Sequence, residues 1–177
     1  MFDPPKFALR FPIADLDKWA NEYIEYNSNK FKDEQAQNAA DKAKERGSMT
    51  KEESLTVTTW KSRRPKRWLE DNTADDIKDA TQSAFSTTNA RVRIGVLMTL
   101  QGVSYPMASA ILHLVCKDVP LLDVNALAAL NEKKPPSYTF QFWNVYCAEL
   151  LKIAGKSSLP LRTIDRALWM FGKKHPL

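Results

Sequence analysis

The chain has 177 residues, of which 44% are hydrophobic and 27% charged, ordinary values for a globular domain. That balance excludes a disordered tail or a collagen-like fibre, and no stretch approaches the ~20 consecutive apolar residues of a membrane helix. Lysine and arginine total 26 against 21 acids, a net charge of +5, which points mildly to a polyanionic partner.

Cys116 and Cys147 are the only cysteines, with His113 and His175 the only histidines. That inventory is too small for a disulfide framework, a four-cysteine zinc site or an iron–sulfur cluster, so neither metal nor cofactor is expected. Met1 to Ile13 is broken by Asp3, Pro4, Pro5, Lys6, Arg10 and Pro12. Without an apolar run of signal-peptide length, a cytoplasmic location is expected.

Helical spacing recurs along the chain and strand-like alternation is scarce, so the expected fold is all-α. Leu16, Trp19, Ala20, Tyr23 and Ile24 mark a first amphipathic helix. Lys30 to Arg46 is polar and dotted with alanine, a solvent-covered helix closing at Gly47. Thr50 and Glu53 read as a capping box opening a helix through Leu55 and Trp60, which Pro65 interrupts. Thr73 and Asp76 repeat the device ahead of Ile77, Ala80, Ala84 and Phe85. Thr88 is the expected cap of the next helix, with Ile94, Leu97 and Met98 facing inward.

The second half is more apolar. Met107 to Val115 is nearly continuous, as befits a helix at the centre of a core. Pro120 stops the chain, and Asp123 is placed to cap a short helix through Leu130. Lys133 to Pro136 reads as a loop and Ser137 as the following cap. Trp143, Tyr146, Cys147, Leu150, Leu151 and Ala154 then share one helix face. A last helix carries Leu161, Ile164, Leu168 and Phe171, ending at Gly172.

Charge is unevenly placed. Trp60 to Trp68 holds Lys61, Arg63, Arg64, Lys66 and Arg67 with no acid, a pattern suited to phosphate contact, although such runs are often only solvated. The most informative stretch is Leu100 to Ala110. A helix ends at Leu100, Gly102 permits a turn with positive φ, and Pro106 suits the first turn of a new helix. This reads as a helix–hairpin–helix. Gln101, Gly102, Val103, Ser104 and Tyr105 would present backbone N–H groups to a phosphate, holding DNA without reading its sequence; the plainer reading is a short helix–helix turn.

Leu-x-Gly-Val-x-x-x-x-Ala from Leu100, followed by Pro-x-x-Asp from Pro120 to Asp123, resembles the helix–hairpin–helix DNA glycosylase superfamily. The motif-bearing likeness runs from about Thr88 to Leu130. It implies a two-lobed helical domain spanning 1–177. One lobe would cover about 50–134, with the hairpin at 100–106. The other would combine helices from about 1–49 and about 135–177. It also implies that Asp123, the residue matching the family's catalytic aspartate, faces a flipped nucleotide. Ser104 departs from the family's second hairpin glycine. Pro106 stands where bifunctional members carry their Schiff-base lysine, so a monofunctional hydrolase without lyase chemistry is implied.

The chemistry follows from the bond. Breaking an N-glycosidic bond builds positive charge on the sugar, which a fixed carboxylate stabilises while it orients or deprotonates water. The base must first leave the duplex for an aromatic-lined pocket. Trp60, Trp68, Tyr105 and Trp143 are candidates for that pocket, although tryptophans are more often core. Double-stranded DNA is thus the expected partner of a monomer, with no membrane. His113 reads as a core histidine, and Arg162, Asp165 and Arg166 as a helical ion network. Three alternatives stand beside this reading. One is a non-catalytic helix–hairpin–helix DNA-binding protein in which Asp123 is merely a cap. Another is a helical protein-interaction domain whose basic run only aids solubility. The last is a glycosylase acting on modified phage DNA in defence.

Overall fold

A computed structural model describes residues 4–27 and 30–177. The described residues form ten α-helices and one 3-10 turn, with no strand. After the turn at Ile13–Asp15 come α1 (Leu16–Tyr26), α2 (Lys30–Arg46), α3 (Lys51–Lys61), α4 (Lys66–Glu70) and α5 (Ala74–Phe85). The chain continues through α6 (Ala90–Leu97), α7 (Tyr105–Cys116), α8 (Val124–Ala129), α9 (Phe140–Ser157) and α10 (Leu161–Lys174).

The helix starts and stops follow local chemistry. Gly47, at φ 78°, ends α2, a conformation that costs glycine little. Thr50 and Glu53 form a reciprocal capping box on α3, and Thr73 and Asp76 form another on α5; each such cap contributes about 1 kcal/mol. Two expected caps shift. Asn89, not Thr88, caps α6, its Oδ1 accepting from the N–H groups of Arg91 and Val92. Thr139, not Ser137, caps α9, its Oγ1 accepting from the Phe142 N–H.

Chain contacts divide the molecule into two units. In the unit spanning 30–118, α2 packs on α3 and α7, α3 also on α5, and α6 on both α5 and α7. Ala36, Ala39, Ala40 and Ala43 are buried along α2. That helix is therefore not solvent-covered: its small residues let α3 and α7 approach closely. Every residue from Met107 to Val115 is buried, making α7 the central helix of this unit. Residues 30–49 thus belong with this unit rather than with the terminal helices.

The other unit joins residues 4–27 to 119–177. Here α10 is the hub, packing on α1, α8 and α9. It runs through Gly172 rather than stopping there. A Cβ at Gly172 would overlap the backbone carbonyl of Asn125, so this glycine is a contact surface that seats α8 against α10. Because α8 packs there, residues 119–134 group with the terminal helices. Buried Asp165 accepts from Arg162 at 2.6 Å, as the spacing on α10 suggests.

Candidate functional site

The connection between α6 and α7 is a tight hairpin. The Leu100 N–H donates to the Leu97 carbonyl, and the Val103 N–H donates to the Leu100 carbonyl, both at 3.2 Å. Gly102 lies at φ 77°, a region that a side chain strains. A Cβ there would also sit 3.1 Å from Leu69 Cγ and 3.2 Å from the Pro65 carbonyl oxygen. The conformation therefore calls for glycine, and the tight space adds to it, since a Cβ would push its neighbours back by a few tenths of an ångström.

The second demand has a consequence for charge. Pro65 and Leu69 belong to the segment that carries the basic run, so the hairpin packs directly on it although more than thirty residues separate them in sequence. Asn72 fixes the contact: its Oδ1 accepts from the Gln101 N–H at 2.8 Å, and its Nδ2 donates to the Gln101 carbonyl at 3.0 Å. Arg63, Arg64, Lys66 and Arg67 are exposed around Pro65, while Lys61 closes α3 half-buried. Lys66 lies 3.4 Å from Glu70, an exposed pair of little energetic consequence. One unit thus holds the hairpin and a cationic rim side by side.

The hairpin residues divide the work. Val103 is buried and its N–H is committed, so it anchors the turn, and its side chain is not open to DNA. Gln101 and Ser104 are exposed. Ser104 occupies the N-cap of α7, yet its hydroxyl makes no capping hydrogen bond. With Pro106 in the first turn, the N–H groups of Tyr105 and Met107 lack intrahelical acceptors, as at any helix start. Tyr105 is half-buried, and burial raises its hydroxyl pKa against the opposing charge of Arg91. The groove of about 480 Å³ on the Asn72 side of the hairpin is lined by Asp76 and Asp79, which disfavour a phosphate there.

The aromatic candidates separate as clearly. Trp68 is 51% exposed on α4, beside Arg67. Trp60 is half-buried, its Nε1 donating to Asp33 Oδ1 at 2.7 Å, which ties α3 to α2. Trp143 is 1% exposed in the core of the other unit, against Phe140, so it is closed to a base.

Asp123 caps α8, its Oδ1 accepting from the Asn125 N–H at 2.8 Å, and it is half-buried. The buried segment before it is pinned by the Tyr146 hydroxyl, which donates to the Leu121 carbonyl at 2.6 Å. Tyr138 lies within the electrostatic reach of Asp123. Burial chiefly, and that carboxylate second, push its hydroxyl up to about 12.

Sequence reasoning passed over Asn72, Leu69 and Tyr138. A lone asparagine after a basic run carries no spacing signal that its partner is Gln101. Among the described residues no group of three or more His, Cys, Asp and Glu side chains is placed to hold a metal ion. No helix among them is long and apolar enough to cross a membrane. Comparison with family models, with curated proteins and with solved structures finds no match.

Proposed function

We propose that the protein is a monofunctional DNA glycosylase that hydrolyses the N-glycosidic bond of a damaged or modified base and leaves an abasic site. The observation that carries this reading is the packing of Gly102 on Pro65 and Leu69. It brings the start of α7 and a segment with four exposed cations together in one unit, and cations beside a helix start suit a surface that grips phosphates without reading bases. Asp123 supplies the carboxylate. In the reaction a water oxygen bonds to C1′ and its proton passes to Asp123. The C1′–N bond breaks, and the base leaves with the bonding pair and takes up a proton from solvent, to which Asp123 returns the one it received. The carboxylate also offsets the positive charge that builds on the sugar. No lysine stands at Pro106 to form an imine, so strand cleavage by β-elimination is not part of the proposal.

The Asn125 N–H bond to Asp123 favours a second reading, a DNA-binding protein without chemistry. A helix cap is a complete structural use for that carboxylate. Incubating the protein with duplexes that carry single alkylated, oxidised, deaminated or hypermodified bases separates the two. Alkali-labile sites with free base detected by mass spectrometry support the glycosylase. Salt-sensitive binding with no release supports the binder.

A further inference from the structure

We propose that a second site, a cavity of about 460 Å³ between the end of α2, α5, α6 and the end of α7, binds the oxyanion group of a small organic molecule. No residue lining it belongs to the hairpin or the basic run, and the inference stands whether or not the glycosylase reading does.

Its anchor is Arg93. This side chain lines the cavity yet the residue is only 7% exposed. Its Nη1 donates to Asp118 Oδ2 at 3.0 Å, and Asp118 is itself largely exposed, which weakens the pair by solvent screening. The Nε of Arg93 is buried and has no hydrogen-bond partner among the described residues. A guanidinium is a rigid fork of five N–H donors that matches a carboxylate or phosphate in bidentate fashion. A buried guanidinium with a donor unused is costly; Cys116, on the cavity wall, is the other group that meets it, and an oxyanion entering beside Cys116 would relieve that cost.

The remaining lining fits such a ligand. Lys44 and Arg46 reach the cavity from the end of α2, so three cations face one carboxylate, Asp118. Arg46 is held in place by Glu53, while Lys44 is exposed at the rim. Phe85, Val115 and Cys116 form the apolar wall, which suits a ring or hydrocarbon body attached to the anion. The volume falls within the roughly 300–1,000 Å³ of small-molecule sites.

The test is a titration of the isotopically labelled full chain with inorganic phosphate, adenosine monophosphate and benzoate, followed by NMR. The Arg93 Nε–H resonance and the amides of Gly47 and Cys116 are read. A saturable shift at all three with at least one probe is the expected result. Phosphate and adenosine monophosphate without benzoate identify a phosphorylated ligand, and benzoate alone a carboxylate. Lys44→Gln, at an exposed position, weakens the response about two- to fivefold. Arg93→Lys keeps the charge but loses the fork, and weakens it about tenfold. Shifts that never saturate, or that leave the Arg93 Nε–H unmoved in the wild type, overturn the proposal without reference to any variant.

Discussion

Asn72 and Gln101 are joined by two hydrogen bonds through one amide, Nδ2 to the Gln101 carbonyl at 3.0 Å and Gln101 N–H to Oδ1 at 2.8 Å. The side chain thereby treats the hairpin as a backbone partner, and it ties the basic segment to the turn. Because Asn72 is buried, Asn72→Ala leaves both Gln101 groups short of a partner. The expected cost is about 2–3 kcal/mol of stability, read by urea denaturation. DNA affinity should fall with it although Asn72 touches no phosphate, as fluorescence anisotropy would report.

Arg63, Arg64 and Arg67 are exposed on the segment that packs against Gly102. If each neutralises a phosphate, replacing one with glutamine lowers the slope of log affinity against log salt by about 0.9 for duplex DNA. The triple variant should approach a loss of about 2.7. A slope unchanged by all three substitutions would make the run a solvated surface.

Gly172 bears on Asp123 from a distance in sequence. It seats α10 against the carbonyl of Asn125, two residues beyond the carboxylate. Gly172→Ala forces α8 to shift, with an expected destabilisation of about 1–3 kcal/mol. Base release should drop further than the folded fraction does, while duplex affinity, which the proposed function places on the other unit, should stay near wild type. Parallel melts and turnover assays decide it.

Tyr138 and Tyr146 make the fold sensitive to alkali. Burial raises both hydroxyls above the ordinary value of 10, Tyr138 to about 12 with Asp123 adding to the effect. The unfolded chain therefore loses these protons before the folded one does. The stability they confer is complete below pH 10 and is lost as pH rises through the folded value. Urea midpoints should fall between pH 9 and pH 11 by more in the wild type than in Tyr138→Phe.

The local parts of this architecture were legible in the sequence. The Thr50–Glu53 and Thr73–Asp76 boxes, the stop at Gly47 and the hairpin glycine are each dictated within a few residues by backbone geometry. Caps slipped where two formers stand close together: Asn89 outcompetes Thr88 because its Oδ1 reaches two N–H groups. The buried face of α2 was obscured because alanine in a charged helix reads as helix propensity rather than core. Gly172 resembles a helix stop, and only the packing of α8 reveals that its missing side chain makes room for Asn125. Neither the Asn72 clamp nor the grouping of residues 30–49 with α3 and α7 has a sequence period, since both rest on contacts between distant segments.

Hydrolysis by this protein would run through Asp123, and a single pair of proteins decides whether it does. Wild type and Asp123→Asn, purified together, are assayed for release of free base from the modified-base duplexes and for affinity to the same DNA. Asparagine can still cap α8, so the variant should fold and bind as the wild type does. Release by the wild type, reduced at least about a hundredfold in the variant, is the expected result. Equal release by both proteins, or none by either with equal salt-sensitive binding, would contradict it and leave Asp123 as a helix cap.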